Sequence, residues 1–287
     1  MLSTLGEMAP ETFEMQFALV VGFAFAWEIL FLVLRAIALT FFAGASQDDK
    51  KKHDKEEKDD VDEVRQKIVH VVHCVTNMIH TSIVGPTATW VLFKAPAIRT
   101  ITYAILNMDT SVLSSPTALH AFDADILPWL CPLSAGFFVF DLANIALWDK
   151  KDPLMVAHHV ISIIVWPTGV ATKVACPFIV IFMSSELSSP LMQVRAIARA
   201  LYGSGTASDV ASLLFALAFF AVRSWTPPFC LYAFVAMKPW AYPIPLWQRI
   251  MTTTTVPLPA LLNSVWTYSI ASIMVGKLLQ MSRSKKE

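Results

Sequence analysis

FDLANIALWDKKDPLMVAHHVISIIVWPTGVATKVACPFIVIFMSSELSSPLMQVR, running from Phe140 to Arg195, decides how this chain is read. Nearly all of it is apolar enough to lie in lipid. Yet it holds Asp141, Asn144, the run Asp149-Lys150-Lys151-Asp152-Pro153, the pair His158-His159, and Glu186. Ionisable groups at membrane depth are costly, so they face a bundle interior or an aqueous cavity and mark function.

Composition supports a membrane setting. The 287 residues are 55% hydrophobic and 15% charged, with mean hydropathy +0.55. That is too apolar for an ordinary soluble domain. The formal net charge is +0, which gives no whole-chain case for a nucleic-acid partner. The first apolar run, about 17–43, is too long for a signal-peptide core. It follows Glu7, Glu11 and Glu14 rather than basic residues, so it reads as a retained span. Cys74, Cys131, Cys176 and Cys230 form no CxxC and no metal-ligand spacing, and read as buried small hydrophobes. The last three fall near the lumenal side of the expected topology, which leaves room for one disulfide.

A membrane span needs about 20 mostly apolar residues. Seven stretches qualify: about 17–43, 68–93, 126–148, 153–172, 175–197, 208–229 and 251–279. A tight turn near Thr168-Gly169 is expected between the fourth and fifth. Pro227 to Pro245 cannot be regular helix throughout, and Trp225, Trp240, Tyr242 and Trp247 there suit an interface. Between the first two spans, Gln47 to Lys67 is dense in both charge signs and reads as a solvated, partly helical linker. Lys50, Lys51, Lys52, Lys55, Lys58, Arg65 and Lys67 place it in the cytosol by the positive-inside rule. Alternation then puts the N-terminus in the lumen and the tail Arg283-Ser284-Lys285-Lys286 in the cytosol. That tail is a near-miss to dilysine-type retrieval signals, and a basic stop after the last span explains it equally well.

Depth can be counted from the cytosolic boundaries at 1.5 Å per residue. His158 and His159 come out roughly 9–10 Å deep, Asp141 roughly 10 Å and Glu186 roughly 13 Å. In the second span His70, His73, Asn77 and His80 recur at helical spacing on one face. Arg223, in the sixth, falls nearer the lumenal end, where its side chain could snorkel.

Several chemistries compete for such a cluster. Membrane di-iron oxygenases need more histidines than the seven here, two of which (His53 and His120) lie in loops, and no HxxxH or HxxHH occurs. A single zinc on two histidines and a carboxylate is formally compatible, but no metal or cofactor is expected. A seven-span receptor lacks support from any DRY-like or NPxxY motif. Acyl transfer fits: an imidazole can act as base or acyl acceptor while a carboxylate holds its tautomer.

Phe140-Asp141-Leu142, then Asp152-Pro153-Leu-Met-Val-Ala-His158-His159, then Ser185-Glu186-Leu-Ser-Ser-Pro190-Leu-Met-Gln-Val-Arg195 resemble the TLC domain. Ceramide synthases, TRAM proteins and the TLC-domain-containing proteins share it, and the last subgroup is the most similar. Phe219-Phe-Ala-Val-Arg223 and Leu262-Asn263-Ser-Val-Trp266-Thr-Tyr268 continue the resemblance, which spans roughly 61–281. In ceramide synthases the resemblance implies N-acylation of a sphingoid base by acyl-CoA, with His158 and His159 at the matching catalytic positions. The chain departs from that pattern in reading DPxxxxHH rather than DFxxxxxHH. It also has Ser185-Glu186-Leu187-Ser188-Ser189 where HDxxD would stand.

The resulting expectation is an all-α multi-pass membrane protein with about seven transmembrane helices, the last six forming a TLC-type bundle around a polar-lined, cytosol-facing cavity. Residues 1–46 would hold the lumenal segment and first span, 47–67 the linker, 61–281 the TLC domain and 282–287 the basic tail. The expected role is lipid homeostasis in the endoplasmic reticulum, by binding or modifying a long acyl chain or membrane lipid. An acyl-CoA-dependent N-acyltransferase and a non-enzymatic regulator of membrane composition or trafficking are the alternatives. Membrane lipids and acyl-CoA are the expected partners. The catalytic candidates are His158, His159, Glu186 and Asp141, and the candidate substrate contacts are Arg195, Asp152 and Asn144.

Overall fold

Helix after helix carries the chain, with no strand among the described residues. The computed structural model describes residues 12–46, 56–115, 117–148, 152–241 and 245–284. In order these are α1 (Phe13–Ser46), α2 (Glu56–Lys94), α3 (Pro96–Leu106), the single turn α4 (Thr110–Leu113), α5 (Leu127–Trp148), α6 (Pro153–Thr172), α7 (Cys176–Ser184), α8 (Ser189–Tyr202), α9 (Thr206–Arg223), α10 (Thr226–Met237), α11 (Leu246–Thr255) and α12 (Pro257–Ser284). Among the described residues, six stretches are long and apolar enough to cross a membrane: Phe13–Phe41, Glu63–Lys94, Leu127–Ile145, Pro153–Thr172, Thr206–Ala241 and Leu246–Gly276. The chain is therefore a multi-pass, all-helical membrane protein. The part of the charged linker from Glu56 onward belongs to α2. Lys50–Lys52 and Lys55 in that linker, Asp149–Lys151, Tyr242, and Lys285 and Lys286 of the tail lie outside the described residues.

The expected fifth span, 175–197, folds as two helices joined by a 3-10 turn over Ser185–Ser188. Pro190 explains the break: it offers no N–H to the Glu186 carbonyl four residues back. The Ser189 N–H bonds that carbonyl instead, in the tighter i−3 pattern. The hydroxyls of Ser184, Ser185 and Ser188 likewise donate to carbonyls three residues back, at 2.7, 2.5 and 3.0 Å. Ser184, Ser185, Ser188 and Ser189 all keep right-handed helical dihedrals, so the chain continues onward without reversing. All nine residues of α7 are buried, as expected of a helix apolar on every side.

The turn expected near Thr168-Gly169 lies further on. Helix α6 continues to Thr172 and ends on left-handed Lys173 (φ 53°), followed by left-handed Ala175 (φ 60°). Gly169 serves packing rather than turning, because a Cβ there would meet Ile179 Cδ1 at 2.2 Å.

Helix α1 packs against α5, so the first span is part of the same bundle as the later ones. A Cβ on Gly136 of α5 would come within 2.6 Å of Phe23 Cβ and 2.8 Å of the Val20 carbonyl, and the missing side chain admits α1 at close range. Pro132 leaves the Pro128 carbonyl without its helical donor, and Gln16 Nε2 of α1 donates to it at 3.0 Å. Trp27 Nε1 donates to the Leu133 carbonyl at 3.2 Å. All four cysteines are buried free thiols, so the disulfide for which the topology left room is not formed.

Gly136→Leu would drive a side chain into α1 and is expected to cost about 1–3 kcal/mol, read as a lower Tm in detergent. Gly22→Leu, where nothing lies within 4 Å of a built Cβ, should leave Tm unchanged. Equal Tm values for the two variants would refute the close α1–α5 approach.

Candidate functional site

Helices α5 and α6 form an antiparallel hairpin that sets Asp141 opposite His159. Asp152 caps α6, its carboxylate accepting from the Leu154 N–H at 2.9 Å, and Pro153 occupies the first turn. One side of the Asp141 carboxylate lies 2.6 Å from His159 Nε2 and the other 2.5 Å from His73 Nε2 on α2. His159 Nδ1 donates to the Met155 carbonyl at 2.7 Å, because a carbonyl can only accept. Both ring nitrogens of His159 are thus engaged, and a proton lies between Nε2 and Asp141. Asp141 is 4% exposed and His159 2%.

His158, next along α6, is held differently. It is half-buried, and neither ring nitrogen has a hydrogen-bond partner among the described residues. Its ring packs edge-on against Phe138 of α5 (centroids 5.2 Å apart) and Trp266 of α12 (5.6 Å). Phe138 also abuts His159 and Trp166, forming an aromatic wall beside the pair. On the α2 face, His80 is fully buried, stacks on Phe137 at 3.9 Å and pairs through Nε2 with the Ser134 hydroxyl at 2.9 Å. His70, from the same stripe, is exposed, with Nε2 3.7 Å from Cys74 Sγ.

Glu186 pairs with Arg223, a residue that the sequence reading assigned to the lumenal end. Arg223 is 7% exposed, so its side chain is buried rather than snorkelling. Nε donates to the Ser188 hydroxyl at 3.0 Å and the Ser185 carbonyl at 3.2 Å. Nη2 donates to the Ser189 hydroxyl at 2.9 Å and to Glu186 at 3.4 Å, and Ser189 in turn donates to Glu186 at 2.5 Å. The correction has a simple cause. Helix α8 runs to Tyr202, well past Arg195, before left-handed Gly203 (φ 67°) ends it. Counted from that turn, Glu186 and Arg223 sit at matching heights on the two arms of the α8–α9 hairpin. Gly85 of α2 seats this turn, since a Cβ there would lie 2.6 Å from the Leu187 backbone nitrogen.

Trp266 links the two polar groups, lying 5.6 Å from His158 and 6.0 Å from the Arg223 guanidinium carbon. Asp141, His158, His159 and Glu186, expected at matched depth, therefore share one interior, joined by His73, Arg223 and Trp266. The remaining candidates are engaged elsewhere. Arg195 donates to the Ser212 hydroxyl at 3.2 Å and sits over Phe215. Asn144 donates to the Phe140 carbonyl of its own helix at 3.0 Å. Asp152 is the exposed helix cap. A small cleft lined by Val165, Thr168, Thr172, Gln248, Thr252 and Thr255 lies toward the opposite end of α6 from the histidines.

These features define a polytopic helical membrane protein with a buried histidine–carboxylate centre. The TLC-domain family profile matches residues 70–272, and the chain belongs to that family. The match takes in Asp141, both histidines, Glu186, Arg223 and Trp266, and begins beyond α1.

Breaking a buried ion pair by removing one partner costs about 3–5 kcal/mol, whereas replacing both partners with apolar residues costs far less. Glu186→Met and Arg223→Met should each lower Tm strongly, and the double variant should recover most of the loss. Additive effects in this cycle would mean the two side chains do not depend on each other.

Proposed function

We propose that this TLC-domain chain handles a long-chain acyl group or membrane lipid within the bundle, and that its chemistry is acyl transfer through His158. One observation carries the choice of His158. It alone in the buried cluster keeps both ring nitrogens clear of hydrogen bonds to the described residues, whereas His159 spends both of its own on Met155 and Asp141. A nucleophile needs a free lone pair, and its neighbour is held as a fixed support.

In this reading a ring nitrogen of neutral His158 attacks the carbonyl carbon of an acyl-CoA thioester. The N–C bond forms, the C–S bond breaks and the thiolate leaves. An amine or hydroxyl acceptor then attacks the acyl-imidazole, the N–C bond breaks, and the acceptor's proton ends on the released thiolate. Asp141 orients His159, whose ring centroid is 5.5 Å from that of His158. Arg195, held only through Nε and an aromatic face, is the candidate contact for a CoA phosphate or anionic headgroup. Asp152 and Asn144 act as framework. An endoplasmic-reticulum membrane with a lumenal N-terminus and cytosolic C-terminus fits this role.

A second reading draws on the saturation of Asp141, His159 and Glu186 by one another's neighbours, which suits internal struts as well as catalysis. Under it the bundle binds lipid and regulates membrane composition without turnover.

Purified protein in nanodiscs, incubated with acyl-CoAs of several lengths and no acceptor, separates the two. Intact mass should show an acyl adduct, with CoA release, that falls by about 10²-fold or more in His158→Ala. His159→Ala should lower Tm as well as rate. Wild-type protein that gives neither adduct nor CoA at any length, while co-purifying with lipid, would favour the non-enzymatic reading.

A further inference from the structure

We propose that Arg223 is a ligand-binding residue of the His158 site and presents Nη1 to the acyl carbonyl oxygen of the substrate. The inference deepens the acyl-transfer reading and rests on it. A guanidinium carries five N–H groups in a rigid fork. In Arg223, Nε and Nη2 are taken up by Ser185, Ser188, Ser189 and Glu186. Nη1 donates to no described residue, although the side chain is more than nine-tenths buried. Nη1 is not one of the fully enclosed polar atoms, so this arm stays reachable, and a fixed guanidinium with one reachable donor left over suits an acceptor from outside the fold.

A second buried group points to a ligand in the same neighbourhood. Asn263 is 4% exposed, and its Oδ1 has no partner among the described residues. It precedes Trp266 by one turn on the same face of α12. Trp266 touches both His158 and Arg223. One donor arm, on a residue that shares Trp266 with His158, and one acceptor, a helical turn from Trp266, thus lie in the neighbourhood of the histidine with free ring nitrogens. They match the two ends of an acyl-transfer step: the carbonyl oxygen that gains negative charge, and the N–H or O–H of the incoming acceptor.

The pinning of Nε and Nη2 matters for this role. It fixes the direction of Nη1 before substrate arrives, so no reorganisation is needed as charge develops. Glu186 balances the guanidinium, so a neutral carbonyl is accepted in the ground state, and the growing oxyanion then meets donors already aimed. The Glu186–Ser189 turn is the support, and Arg223 is the group in contact.

Two unreactive acyl-CoA analogues of equal chain length test this. In one a methylene replaces sulfur and the ketone oxygen is kept; the other is a thioether with no carbonyl. Binding is measured on the full chain in nanodiscs. Wild type should prefer the ketone by about tenfold, the value of one charged hydrogen bond. Arg223→Lys keeps a charge opposite Glu186 but loses the fork, and should bind both analogues equally. If that variant does not fold, Glu186→Met/Arg223→Met serves in its place with the same expectation. A wild type without preference, one that binds neither analogue, or a preference that survives loss of Arg223 overturns the proposal. His158→Ala should keep the preference. Preference without any acyl adduct in the mass experiment would therefore sink acyl transfer alone, and adduct without preference would sink the role of Arg223 alone.

Discussion

A carboxylate placed among apolar helices must be matched by hydrogen-bond donors or positive charge, and Asp141 is matched twice. His73 approaches one of its oxygens from α2 and His159 approaches the other from α6. Three helices are thereby tied at one height inside the bundle. Slippage of any of them by a single residue would turn the side chain about 100° away and leave the carboxylate exposed to hydrocarbon. Apolar packing alone gives weak register in a membrane, because lipid is as good a neighbour as another leucine. A polar centre supplies the register that packing leaves loose.

The second polar centre is built by a different device. Pro190 prevents the regular bond to the Glu186 carbonyl, the chain tightens into a 3-10 turn, and a cluster of serine hydroxyls gathers there. Arg223 closes on that cluster from the neighbouring helix and donates hydrogen bonds to side chain and backbone alike. Pro132 shows the same logic in α5, where the freed carbonyl is met by Gln16 of α1. In both places a proline opens the backbone, and a polar side chain from another helix fills the opening. The break in 175–197 is thus the feature that forms the Arg223 site.

How much of this was legible in the sequence follows from what counting can and cannot do. The α5–α6 hairpin was legible because charges mark its turn on both sides, so depths taken from Trp148 and Asp152 brought Asp141 and His159 together. The α8–α9 hairpin was read too short, since Arg195 looks like a membrane boundary, while the helix runs on to Gly203. That error put Arg223 at the wrong height and hid its pairing with Glu186. Counting outward from Gly203-Ser204-Gly205 would have found it. His73 could be placed on the right face of α2 by periodicity. Its choice of Asp141 over any other partner could not, because which helices are neighbours is a tertiary fact.

The adjacent histidines show how one local pattern yields two roles. Neighbours on a helix point about 100° apart, so His158 and His159 cannot share an environment. His159 faces α5 and is locked by a carboxylate and a carbonyl, while His158 faces Trp266 of α12 and is held only by aromatic edges. Aromatic contacts fix the plane of a ring without occupying its nitrogens. The arrangement keeps one imidazole rigid and chemically spent beside another that is rigid and chemically free. A structural pair would gain nothing from leaving the second ring without hydrogen bonds at membrane depth, where each missing bond has a cost. That asymmetry is the strongest physical argument that the centre meets something other than itself.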